Sequence, residues 1–255
     1  MSRVRRAGTR ALPFALVLAV VVSALALGAR RPDPTAPIRA PRVAAAVAWP
    51  TSTLVVSEVQ TGGASASDEF AELYNGAADP IDLTGLELVY VTSSGSTVTR
   101  KATWSASTIL EPGCHVLVAN AAGIFASGAD ATYSGGFAAT GGAIVLRPVG
   151  GTPVDALGWG DATNAFVEST VAPAPAAGAS LERRPGGLAG NGVDTNDNAA
   201  DFVVQAAPSP QNLGAPPVPD PGGSPAPSGT PSSRCRGRLK PHKAHSHWDK
   251  RRPCG

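Results

Sequence analysis

Apolar residues come in short runs through the middle of the chain, alternating with polar ones and broken at close intervals by glycine, proline, asparagine or aspartate. Alternation at every second position marks a strand with one buried face. It predicts strands over Thr53–Gln60, Glu69–Asn75, Ile81–Val91, Thr97–Trp104, Cys114–Asn120, Ala143–Pro148, Val154–Trp159 and Ser180–Arg184. Turn chemistry such as Asn75-Gly76, Pro112-Gly113 and Gly150-Gly151 separates them. The best helical window, Ala162–Ala176, is interrupted by Pro173 and Pro175. The pattern predicts an all-β body, built as two sheets face to face or as a barrel. Within it Leu86, Leu88 and Tyr90 share one strand face, Gly85 marks a bulge or a close backbone approach, and Trp159 is a core aromatic. Glu58, Glu69, Glu72 and Glu87 read as solvent-facing acids or hydrogen-bond partners of a sandwich.

The ends have a different texture. Arg3, Arg5, Arg6 and Arg10 precede Ala11–Ala29, nineteen residues without a charge, so residues 1–29 read as a signal peptide or an N-terminal signal anchor. Ala24 and Ala26 offer a cleavage point, while Arg30 and Arg31 just beyond it disfavour processing. Either outcome places the body outside the cytoplasm, secreted or anchored at the cell surface. Residues 30–50 form a Pro-rich spacer, 51–213 the folded body, 214–233 a Pro/Gly/Ser linker and 234–255 a basic tail containing Cys and His. The N- and C-terminal extensions are expected to be disordered.

Charge sharpens this division. Over the whole chain it is only +2, but residues 1–42 carry a net +7, residues 43–233 a net −12 and residues 234–255 again +7. An acidic body between basic ends excludes nucleic-acid binding through the folded part. In the tail, Arg234, Arg236, Arg238, Lys240, Lys243, Lys250, Arg251 and Arg252, interleaved with Trp248, form a candidate polyanion-binding segment. Its targets would be anionic surface polymers, lipid headgroups or extracellular DNA.

Candidate chemistry is sparse. Serine-hydrolase elbow, zincin, phosphate-loop and dinucleotide-binding motifs are all missing, so no catalytic residue and no cofactor is assigned. Cys114 and His115 are adjacent on a strand and point to opposite faces, which disfavours a thiol–imidazole pair; Cys114 is expected to pack as a small apolar residue. Asp194, Asn196 and Asn198 fit the opening of a calcium loop, but Ala199 and Gln205 stand where glycine and glutamate complete one, and an Asx turn is the competing reading. In an oxidising compartment Cys235 and Cys254 are candidates for a disulfide; Cys235, His242, His245 or His247, and Cys254 also have the ligand types of a metal site, at an unfamiliar spacing.

The ordered set of motifs resembles the lamin-tail domain family as it occurs in exported bacterial proteins. The carriers are Leu54–Val59 with its acid, Glu69-Phe70-Ala71-Glu72-Leu73-Tyr74-Asn75 followed by Ile81-Asp82-Leu83-Thr84-Gly85-Leu86, the Leu110-Glu111-Pro112-Gly113 turn, and Gly141–Leu146 with Val154–Gly160. Ser180–Arg184, Asp194–Phe202 and Pro208-Ser209-Pro210-Gln211-Asn212 resemble the closing segments of bacterial members. The resemblance implies an immunoglobulin-like β-sandwich without an active site of its own. In lamins such domains are interaction surfaces; in bacteria they accompany secreted nucleases, other hydrolases or surface proteins. The expectation is therefore a non-enzymatic exported structural or adhesive module with a protein or cell-surface partner, its oligomeric state left open. The alternative is an accessory binding domain working in trans with a secreted hydrolase or nuclease.

Overall fold

A computed structural model describes residues 49–218. The segments 1–29 and 234–255, most of the spacer and most of the linker, and with them the basic cluster and the proposed Cys235–Cys254 pair, lie outside the described residues. Twelve strands are present in the described part: β1 (Leu54–Thr61), β2 (Glu69–Asn75), β3 (Ile81–Asp82), β4 (Leu86–Thr92), β5 (Val98–Thr103), β6 (Ile109–Leu110), β7 (His115–Asn120), β8 (Ala131–Tyr133), β9 (Gly141–Pro148), β10 (Asp155–Gly160), β11 (Ser180–Arg183) and β12 (Phe202–Gln205). A single-turn helix, α1 (Asn198–Asp201), precedes β12, with the Asp197 carboxylate capping its N-terminus.

The strands form a six-stranded sheet in the order β12-β11-β1-β2-β7-β8, a four-stranded sheet β10-β9-β4-β5, and the small pair β3-β6. Pairing is antiparallel throughout except between β7 and β8. The molecule is an immunoglobulin-like β-sandwich. Leu54, Val56, Leu73 and Val116 from the larger sheet meet Leu88, Ile144, Leu146 and Leu157 from the smaller one in the main core. Trp159 is fully buried there, its indole donating to the Ala138 carbonyl at 3.1 Å.

The alternation of β4 explains its central position in the smaller sheet. Leu88 and Tyr90 enter the main core, while Val89 and Val91 join Ala143, Val145 and Ala156 in a second cluster on the other face, covered by Trp49 and Phe166. The strand expected over Ile81–Val91 is broken by a turn in which Leu86 N–H donates to the Leu83 carbonyl at 3.0 Å. Gly85 sits in that turn at φ +83°, and a Cβ there would meet nothing within 4 Å. It is neither bulge nor close approach; it is chosen for a left-handed backbone. β6, β8 and β12 had no sequence expectation. The folded part also runs past the expected boundary at 213: Val218 is buried, its N–H bonded to the Gly113 carbonyl at 2.7 Å.

Candidate functional site

The sandwich holds several groupings of ionisable side chains: buried Glu87, paired with Arg100 and Arg147 at 2.7 and 2.9 Å, and the three below, one of which adjoins a cleft. The first fills the place where the calcium loop was expected. Arg183 on β11 is fully buried; its Nη2 lies 2.8 Å from both oxygens of Asp155 on β10. Its Nε donates to the Val56 carbonyl and its Nη1 to the Val193 carbonyl, both at 2.8 Å, and the guanidinium stacks 4.5 Å from the centre of the Phe202 ring. Asp201 and Asp194 stand 3.5 and 3.9 Å from Nη1. Oxygens of Asp155, Glu168 and Asp194 approach within 4.8 Å of one another, which makes them the set able to hold a metal ion among the described residues. The positive charge these acids require is supplied instead by the guanidinium in their midst.

Of the residues expected in the loop, only Asp194 belongs to this cluster; its oxygens accept from the Ser52 and Asn196 N–H groups. Asn196 turns at φ +59° and keeps its side-chain oxygen buried without a hydrogen-bond partner. Asn198 is used elsewhere. Its oxygen accepts from Gly158 and Glu168 N–H, and its amide donates to the Ala156 carbonyl and Glu168 Oε2. The segment is an Asx-rich turn leading into α1, with Asp197 as its cap. Burial raises the pKa of Asp155 against the opposing pull of Arg183, and burial together with the Asp155 charge raises that of Glu168.

The second grouping lies on the outer face of the six-stranded sheet. Glu182, Glu58 and Glu72 stand opposite one another on β11, β1 and β2, all buried. Ser180 Oγ donates to Glu58 and Ser57 Oγ to Glu72. Residues 206–218 cross this row as an extended strap. The N–H groups of Ser209, Gln211 and Leu213 donate to Glu58, Glu72 and Asp130, while Pro208 and Pro210, on either side of Ser209, have no N–H to satisfy. Glu58 and Glu72 are thus hydrogen-bond partners within the sandwich, not solvent-facing acids, and accept from a backbone segment.

His115 lies at the end of this face, tilted against Tyr74 with ring centres 4.7 Å apart and sharing a 3.1 Å hydrogen bond with Asn191. Burial lowers its pKa to about 4, so the imidazole is neutral at physiological pH. Cys114 points into the main core, away from it. Cys114 packs in the main core, as expected of a small apolar residue, and it is disulfide-bonded. A thiolate nucleophile is thereby removed.

In the third grouping Lys101 on β5 inserts its ammonium into an aromatic cage, 4.6 Å from the Tyr133 ring centre, 5.3 Å from Phe137 and 5.7 Å from Tyr90. It donates to the Gly135 and Gly136 carbonyls. Nearby, Glu69 accepts from Phe137 N–H at 2.7 Å and Asn120 Nδ2 at 3.0 Å, and burial raises its pKa. A cleft of about 670 Å³ opens beside them, walled mainly by glycine, alanine and serine; its larger side chains are Thr61, Glu69, Asn120 and Phe137. Sequence reasoning missed the cage and the cleft, because Lys101, Tyr133 and Phe137 share no local motif.

The strand β1 with its acid, β2 with its paired glutamates, and the Asp82 turn recur here in one ordered frame. Asp82 Oδ1 accepts from Thr84 N–H and Oγ, and Oδ2 accepts from Ser107 Oγ; the Thr84 hydroxyl foremost, with Ser107, lowers its pKa to about 2. Residues 48–161 match the family model of the Lamin Tail Domain. This segment is a lamin tail domain. The match to the lamin tail domain ends at β10, whereas the six-stranded sheet also takes in β11 and β12 beyond the matched segment. Among solved structures the chain is similar to a DUF4876 family protein from Bacteroides thetaiotaomicron, at 14% identity and a TM-score of 0.46, over 62% of this chain and 72% of that one. No curated protein matches the chain.

Proposed function

We propose that the lamin tail domain is a non-catalytic structural or adhesive module of an exported protein, and that its basic C-terminal segment associates with anionic surface polymers or lipid headgroups. The observation that carries the first part is how the buried ionisable groups are used. Arg183 is taken up by Asp155 and two carbonyls, Glu58 and Glu72 by the strap, Glu69 by Asn120 and Phe137, and Lys101 by its rings. Each serves a structural contact, where a catalytic centre leaves a nucleophile and a base facing a common space. The second part is supported by the charge division, −12 over residues 43–233 against +7 over 234–255, which lets the tail seek polyanions while the body is repelled by them.

The test compares the full chain with one lacking residues 234–255 on a polyanion resin and on vesicles containing anionic lipid, across a salt gradient. The full chain is expected to be retained at low salt and released steeply as salt rises, and the truncated chain to flow through. Equal retention of the two would refute the tail's role.

A further inference from the structure

The row Glu182–Glu58–Glu72 places three carboxyl groups side by side on adjacent strands, a register in which like charges repel. Among the described residues none of the three has a lysine or arginine ion-pair partner; the nearest basic group is His115 Nε2, 3.7 Å from Glu72 Oε1. What covers Glu58 and Glu72 is the strap, while Glu182 is held from the end of β12. Gln205 Nε2 donates to Glu182 Oε2, Ser209 N–H to Glu58 Oε1, Gln211 N–H to Glu72 Oε2 and Leu213 N–H to Asp130 Oδ2. Beyond them Tyr74 donates its hydroxyl to the Val218 carbonyl. These contacts survive protonation of the acids, since a carboxyl carbonyl still accepts an N–H. The repulsion and desolvation of three carboxylates do not.

We propose that Glu58 and Glu72 form a proton-operated latch: residues 206–218 seat over their neutral carboxyl groups and lift when those groups ionise and must regain water. The protons pass to solvent as the strap opens, and the face beneath it becomes accessible. Burial and the neighbouring acids outweigh the hydrogen bonds from Ser180, Ser57, Ser209 and Gln211, which favour the ionised forms. Burial, then the Glu182 charge, raises Glu58 to about 7 despite its hydrogen bond from Ser180. Burial, then the Glu58 charge, raises Glu72 well above the usual carboxylate range. Burial raises Asp130, and it keeps His115 neutral, so no cation offsets the row. Ser57, Ser180, Gln205 and Tyr74 carry no charge at neutral pH.

The sign follows from linkage. The seated state holds its protons more tightly than the open one, so raising the pH favours opening. Above 4.5, the ordinary value for an exposed glutamate, the opening constant rises up to about tenfold per pH unit for Glu58 alone, on the order of a hundredfold by the time it has titrated near 7. Glu72, raised by its burial and by the Glu58 charge, adds to the response in the same direction.

Amide hydrogen exchange on the full chain between pH 5 and 8, corrected for intrinsic rates, reads this directly. The Ser209, Gln211 and Leu213 amides are expected to lose protection on the order of a hundredfold across the range while amides of β2 and β7 hold theirs. The E58Q/E72Q variant keeps the acceptors and removes the charges; its strap protection is expected to be nearly flat with pH. Strap amides that track the core at every pH in the unaltered chain would overturn the proposal, whatever the variant does. So would an E58Q/E72Q chain that folds, by its core amides, and retains the full pH response.

Discussion

Replacing Arg183 with methionine isolates the contribution of the buried cation. Methionine keeps much of the stem and its packing against Phe202 but removes the charge from beside Asp155, whose two oxygens lie 2.8 Å from Nη2. Removing one partner of a buried ion pair typically costs about 3–5 kcal/mol, because the remaining charge keeps its desolvation penalty. The Val56 and Val193 carbonyls also lose their donor, at about 1 kcal/mol or more each. These losses share one side chain and overlap, so a total near 5 kcal/mol is expected. With a urea dependence of about 2 kcal/mol/M for a domain of this size, the unfolding midpoint should fall by about 2.5 M. R183M/D155N is the control: the Asp155 carboxylate accepts from Val56 N–H at 2.6 Å, and an amide in its place can still accept there without leaving a charge. The double variant should therefore recover a large part of the loss. In R183M the Asp155 carboxyl rises further above its unfolded value. Its penalty accrues as pH climbs from about 4, so the variant should be relatively more stable at pH 5 than at pH 8. A midpoint shift below about 0.5 M at neutral pH, or no recovery in the double variant, would refute the reasoning.

Other outcomes follow from single features. Millimolar Ca²⁺ should leave the melting temperature and protease susceptibility unchanged, since Arg183 already neutralises the acids and Asn198 is committed to Glu168 and β10; a rise of several degrees would count against this. A non-reducing peptide map of the full chain should find Cys114 cross-linked and protected from alkylation; recovery of an alkylated Cys114 peptide would contradict it. Two glycines at positive φ should separate in denaturation experiments. Gly160→Ala, whose Cβ would collide with the Thr140 carbonyl, should cost about 3 kcal/mol, and Gly85→Ala, in open space, about 1 kcal/mol.

The longer strands were legible because their alternation is clean. Leu88 and Tyr90 face one way and Val89 and Val91 the other, as spacing alone requires. The misses have a common cause. Ile109–Leu110, Ala131–Tyr133 and Phe202–Gln205 are too short to show a period, and they exist as strands because a segment distant in sequence offers each of them a ladder. The strap is the extreme case. Its prolines and small residues read as linker, yet those prolines fall at positions that owe the acids no N–H, and the acceptors are contributed by β1 and β2 far earlier in the chain. Of the two readings open for the glutamates, hydrogen-bond partner is the one the structure bears out, and what spacing alone does not give is the segment laid over them. Arg183 gave no local sign either, since its partners come from 155, 194 and 201.

The strand order has a consequence for how the chain reaches this state. β1 is flanked by β2 on one side and β11 on the other, and Glu58 pairs with Glu182 more than a hundred positions downstream. A polypeptide emerging N-terminus first therefore carries an unfinished edge on its opening strand until nearly the whole domain has been released. Loop closure on that scale is slow, and an open, largely apolar edge invites pairing with the wrong neighbour in the interval. Folding of this domain is set to finish late and all at once, after synthesis has passed residue 205, and any factor that guards the nascent chain has its longest task at residues 54–61.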